Sequence, residues 1–200
     1  MKNNQEERWQ ELIARCRDCR ACPLGTSRKN NVFGTGDPLA SLMFVGEAPG
    51  EQEDESGIPF VGAAGKLLDR YLYAVDLPRD KVYIANILKC RPPHNRDPEQ
   101  GEQDACIGYL REQFRLIQPK VLVCLGRIAA MRLIKPDIRI TKEHGKWFYK
   151  NGVWMMAVYY PSALLRDTSK REDMLRDMRE IRQKLEELGV APDIEEAADE

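Results

Sequence analysis

No long hydrophobic run occurs in this chain. The longest apolar stretches, such as residues 117–125, are short and interrupted, whereas a membrane-spanning helix needs about 20 apolar residues. The opening residues, Met-Lys-Asn-Asn-Gln-Glu-Glu, have no hydrophobic segment behind them, so no secretory leader is expected and the chain is placed in the cytosol. A strong excess of positive charge is missing too. Lys and Arg number 31 against 32 Asp and Glu, a net charge of −1, which is not the balance of a bulk electrostatic binder of nucleic acid. The average hides an asymmetry, because residues 193–200 are mostly acidic and read as a solvated, disordered tail. Without them the body is moderately basic. Internal repeats are absent, and so is G-x-x-x-x-G-K-S/T, which argues against a P-loop nucleotidase.

What is there suits one compact domain. Two hundred residues, 42% of them hydrophobic, suffice for a single core, and the expected domain is 1–188 with a tail at 189–200. A helical pattern at 5–18 (Trp9, Leu12 and Ile13 among charged neighbours) runs into a first cysteine cluster. Short apolar runs at 39–45, 82–88, 120–125 and 153–159 read as buried strands. Between them lie helical stretches at 66–75 and 99–117, a short helix opened by Gly126, and a charged helix at 170–188. A hairpin-like segment at 147–153 turns on Asn151-Gly152. Alternating strands and helices predict an α/β fold, a central parallel four-stranded sheet flanked by helices. Sites in such sheets form at the carboxyl ends of the strands, where Glu47, Asn86 and Tyr160 fall.

Six cysteines in a reducing compartment point to metal or redox chemistry rather than disulfides. Cys124, between Val123 and Leu125, reads as an apolar core residue. Cys19 and Cys22, followed directly by Pro23, join the distant Cys90 and Cys106 to supply four thiolates for one centre. Zinc accepts such a set, and so does a [4Fe–4S] cluster; spacing alone does not separate them. Cys16, one turn before Cys19, is either a bystander or an alternative ligand.

Six motifs then occur in order: Cys19-Arg20-Ala21-Cys22-Pro23-Leu24; Gly46-Glu47-Ala48-Pro49-Gly50 with Glu51-Gln52-Glu53-Asp54; Pro59-Phe60-Val61-Gly62 with Ala64-Gly65; Asn86 before Lys89-Cys90-Arg91-Pro92-Pro93; Cys106; and Pro161-Ser162-Ala163-Leu164-Leu165-Arg166. In these the chain resembles the family-four, iron–sulfur uracil-DNA glycosylases over about residues 15–185. The resemblance implies a [4Fe–4S] cluster held by Cys19, Cys22, Cys90 and Cys106, in a structural role. It also implies a monomer that acts on uracil-containing DNA, hydrolysing the N-glycosidic bond to leave an abasic site. The alternative is a relative that binds uracil or DNA without cutting.

The chemistry assigns candidate roles. The base must leave the stack, at a cost of a few kcal/mol. Asn86 offers one donor and one acceptor, matching uracil O4 and N3–H, whereas cytosine presents the inverse pattern; an Asn closing a strand end on its own backbone is the bland reading. Phe60 is a stacking face for the flipped base or an ordinary core residue. The resemblance puts Glu53 near uracil C5, excluding thymine's methyl; otherwise it is solvated surface. Glu47 orients or deprotonates the attacking water together with main-chain groups around Ala48, which stands where better-known uracil glycosylases carry Asp.

Tyr160 stands where the family's last motif begins with His, a donor to uracil O2. A phenol also donates, but from farther out along the side chain. Losing a well-placed donor to a developing anion costs about 2.7–4 kcal/mol, roughly 10²–10³ in rate, so a slowed enzyme is expected. Ser162, Leu164, Leu165 and Arg166 complete a DNA-contacting loop, with the leucines as an apolar wedge and Arg166 as a phosphate contact. The leucines' bland role is to anchor the next helix. Arg91, Arg96 and Lys170 are further phosphate candidates.

Overall fold

Four strands are apolar along nearly their whole length, and that is what a sheet covered on both faces requires. The computed structural model describes residues 3–192. In it β2 (Leu42–Gly46), β3 (Tyr83–Asn86), β4 (Val121–Leu125) and β6 (Val153–Val158) lie side by side in the order β3-β2-β4-β6, all parallel. The expected parallel core is therefore present, but the sheet is mixed and has six strands. β1 (Thr35–Gly36) adds to β3 antiparallel, and β5 (Trp147–Lys150) adds to β6 antiparallel. The second addition closes the hairpin through Asn151 and Gly152, both at positive φ. The first is two residues long and left no periodic trace in the sequence.

Alternation along the strands assigns the two faces. Met43, Val45, Ala85, Leu122, Cys124 and Ala157 look toward one core, under helices α1 (Asn3–Arg17), α5 (Gln100–Ile117) and α6 (Gly126–Leu133). Leu42, Phe44, Ile84, Val123 and Met156 look toward the other, under α4 (Ala63–Tyr73), α8 (Pro161–Arg166) and α9 (Arg171–Glu187). Trp9 fastens α1 by edge-on contacts with Phe33 (5.4 Å) and Tyr83 (5.6 Å). Short helices α2 (Leu24–Ser27), α3 (Glu51–Ser56) and α7 (Ile140–Glu143) complete the chain.

Boundaries shift where side chains compete with the ladder. The strand expected from residue 39 starts at Leu42, because Asp37 Oδ1 accepts the Leu39 N–H (2.8 Å) and closes a turn. α3 occupies part of the glycine-spotted loop, and α4 starts earlier than expected, at Ala63. Of the tail expected at 189–200, the acidic stretch 193–200 lies outside the described residues, whereas Val190 and Ala191 pack against the core and the Val190 N–H bonds the Leu185 carbonyl (2.9 Å). Among the described residues no helix is long and apolar enough to cross a membrane.

Candidate functional site

Register brings the strand ends together. Gly46 pairs with Asn86 across β2 and β3, and Leu125 pairs with Val158 across β4 and β6. The segments leaving these ends enclose a cavity of about 560 Å³. Glu47, Ala48, Glu53, Phe60, Asn86, Tyr160, Ser162 and Arg166 all line it, so most of the residues singled out from sequence converge on one space.

Asn86 closes β3 with its side chain buried, and its Oδ1 has no hydrogen-bond partner. Among the described residues it is the one buried side-chain polar atom so left. Closing a strand end on its own backbone would have satisfied that atom. A buried acceptor without a partner costs about 1–3 kcal/mol, and such an atom marks a place where a ligand donor fits. Gly46 makes the approach possible. A Cβ there would come within 2.4 Å of Asn86 Oδ1 and 2.7 Å of the Phe60 ring.

Phe60 is buried and has φ 54, a left-handed conformation that costs a bulky residue about 1–3 kcal/mol. Glu53 holds it there. Its Oε1 accepts the N–H groups of Val61 and Gly62 (both 2.9 Å), and its Oε2 accepts the Gly50 N–H (3.1 Å). Glu53 is thus a brace between the two loops that form the cavity wall, a role its sequence context did not disclose. Gly65 permits the last approach, since a Cβ there would sit 1.8 Å from the Phe60 carbonyl oxygen.

Tyr160 follows β6 and packs against Phe60, with ring centroids 5.9 Å apart. Gly126, at φ 83, clears its path: a Cβ there would lie 2.8 Å from the Tyr160 Cβ. Burial, with smaller contributions from Glu47 and Glu53, pushes the phenol well above its ordinary range, so it stays a protonated donor at working pH. Burial also raises the Glu47 carboxyl, Asp97 adds to the rise, and Arg127 opposes it. Asp97, which lines the cavity, pairs with Arg127 at 2.8 Å. Neither was singled out from sequence: Asp97 stands in an irregular loop with no periodic signal, and Arg127 is one more charged residue at the start of α6.

Two expectations about the surrounding loop need correction. Leu164, expected to enter DNA beside Leu165, is fully buried in the core under α4 and α9, because the helical turn of α8 points it inward. Leu165 alone is exposed. Arg96 lines the cavity, but Glu102 clamps it with two bonds (2.9 and 2.6 Å), and Arg91 bonds Asn95 at 2.8 Å and pairs with Glu51 at 3.4 Å. Arg166, exposed on the cavity rim, forms no salt bridge among the described residues.

A second, small cavity lies on the other face of the sheet. Cys16, Cys19, Cys22, Cys90 and Cys106 line it together with Arg28, Asn31 and Lys89. Donors reach the sulfurs: Arg28 Nη1 to Cys90 (3.0 Å), Lys89 N–H to Cys106 (3.3 Å) and Ala21 N–H to Cys19 (3.5 Å). Burial pushes the Cys106 thiol up to about 12 and the Cys16 thiol up to about 11, and raises Cys90 as well. Among the described residues no three metal-ligand side chains gather at a single ion position. Cys124 is buried inside β4, away from this cavity.

Residues 33–186 match the model of the uracil DNA glycosylase superfamily. Similar chains include the type-4 uracil-DNA glycosylases of Sulfurisphaera tokodaii (44% identical over 87% of this chain and 81% of the relative) and Archaeoglobus fulgidus (42% over 88% and 92%). That of Thermotoga maritima is 39% identical over 92% of this chain and 98% of its own.

Proposed function

The chain belongs to the type-4 uracil-DNA glycosylase family, and from that premise we propose the site by which it hydrolyses the N-glycosidic bond of uracil in DNA. The observation that carries the reading is the buried, unpartnered Oδ1 of Asn86, a residue that lines the cavity. Uracil N3–H donates to that oxygen and the side-chain amide donates to uracil O4; cytosine offers an acceptor and a donor in the inverse places. Phe60 stacks on the extruded base, and the braced Glu53 loop holds that wall rigid and limits the room beside C5.

Hydrolysis needs a water at C1′ and somewhere for the bonding electrons to go. Glu47, as carboxylate, orients the water and draws its proton, with Ala48 leaving space beside it. The C1′–N1 electrons pass to the departing uracil, and the Tyr160 hydroxyl donates to O2 as charge develops there. Leu165 enters the space vacated in the duplex, while Arg166 and Ser162 contact the backbone.

Cys19, Cys22, Cys90 and Cys106 would hold the [4Fe–4S] cluster that the family resemblance implies. The fit rests on the donor set: these four thiols line one cavity, and backbone and guanidinium donors point at three of the sulfurs. Buried thiols of raised pKa stay protonated until a metal displaces the proton. Bound there, a [4Fe–4S] centre supplies Fe–S bonds that tie the segment after α1 to the start of α5, and no bond-breaking chemistry. All six thiols are free of disulfides, which suits a reducing cytosol.

The test incubates anaerobically purified protein with a labelled oligonucleotide carrying one uracil, followed by alkali. Strand cleavage is expected, slowed by about 10²–10³ in Asn86→Ala and raised in Tyr160→His. No cleavage by either the starting protein or Tyr160→His, with DNA binding intact, would move the assignment to a binder that does not cut.

A further inference from the structure

Lys89 lines the thiol cavity, follows Asn86 of the other cavity by three residues, and is 1% exposed. Lysines are almost never buried so deeply without partners. Its Nζ donates to the main-chain carbonyl of Asn86 (2.9 Å) and to Gln113 Oε1 (2.7 Å). Gln113 is itself fully buried, and its Nε2 is spent on the Phe33 carbonyl (2.9 Å) and the Tyr83 hydroxyl (3.0 Å). The amide is thereby oriented with its oxygen toward the lysine. The Lys89 main chain is fixed at both ends as well: its N–H donates to Cys106 Sγ (3.3 Å) and its carbonyl accepts from Val32 (2.9 Å).

The Asn86 carbonyl needs such a donor. The Ile87 N–H bonds the Gly46 carbonyl on the β2 side, so the main-chain groups of Asn86 face the opposite side of the strand. There the neighbouring strand is β1, which reaches only Tyr83 and Ile84. The ammonium occupies the place of the missing strand. A space-filling role needs no charge, since a methionine fills similar volume without desolvating an ion.

We propose that Lys89 is a positioning residue. It fixes the end of β3, and through it the Asn86 side chain, against a frame anchored at the cysteine cavity. The base-reading group and the thiol site are in this way parts of one bonded network. This inference rests on the reading of Asn86 given above.

A double-mutant cycle with Lys89→Met and Asn86→Ala tests it, in protein whose iron content and visible absorbance are checked. Misplacing the reader by a fraction of an ångström to an ångström is expected to slow single-turnover excision about 10- to 100-fold. Binding to DNA with an abasic-site analogue, which offers no base to read, is expected to stay within about twofold, well inside a tenfold step of 1.4 kcal/mol. The loss is expected to vanish in the Asn86→Ala background. An unchanged rate in Lys89→Met, or an equal loss with and without Asn86, overturns the proposal. If Lys89→Met loses iron, Gln113→Leu carries the same prediction, because it removes a partner of the Lys89 ammonium and leaves every residue lining the thiol cavity unchanged. If the starting protein does not excise uracil, the function has failed rather than this inference. A crystal structure of Lys89→Met then decides, with a shifted Asn86 expected and a superimposable Asn86 contradicting it.

Discussion

Glu47 and Asp97 line the same cavity, with Arg127 paired to Asp97, and that balance has a consequence in pH. Burial, then Asp97, raises the Glu47 carboxyl above the ordinary value of about 4.3. The proposed reaction needs the carboxylate, so excision is lost as pH falls through the raised value, at a higher pH than an exposed glutamate would give. Asp97→Asn removes one charge that raises Glu47 and frees Arg127, which lowers it. Both effects move the acid limb of the rate profile to lower pH. Single-turnover rates across pH check this, and a limb that stays put or moves upward would mean that Glu47 does not set it. That Glu47, Phe60, Asn86 and Tyr160 share one cavity was legible in the sequence, since they fall in ordered motifs near glycines or at strand ends. Glu53 was read as a steric guard, and its bracing bonds to Gly50, Val61 and Gly62 were invisible because they are made to main-chain groups of another loop.

Elements decide what a side chain can reach, and α8 shows it most clearly. In Leu164-Leu165 the sequence offers two equivalent apolar residues, but successive residues of a helix point about 100° apart, so one faces the core and the other faces solvent. Leu164→Ala is expected to cost about 2–5 kcal/mol of stability, measured by denaturant unfolding. Leu165→Ala is expected to leave stability within about 0.5 kcal/mol yet slow excision from duplex more than from single-stranded DNA, where no stack has to be filled. Equal effects on both substrates would remove Leu165 from the wedge role. The four parallel strands were legible for the same kind of reason, as continuous apolar runs. β1 was not, because two residues are too few for any period, and its place was fixed by pairing with Tyr83 and Ile84 far along the chain.

Across the whole molecule, the end of β3 and the segment after it connect two sites. Asn86 ends the strand in the cavity beneath the loop after β2, and Cys90, four residues on, enters the thiol cavity beside α1. That Cys19, Cys22, Cys90 and Cys106 come together was legible from their clustering; that Cys16 lines the same cavity depends on the way α1 packs against α5. The central claim remains that the open acceptor of Asn86 is the atom that reads the base. A crystal structure of the protein soaked with free uracil tests it most directly. Uracil is expected in the cavity against Phe60, with N3 about 2.7–3.2 Å from Asn86 Oδ1 and O2 toward the Tyr160 hydroxyl. Uracil bound elsewhere, or bound there with Asn86 Oδ1 still without a partner, would contradict it.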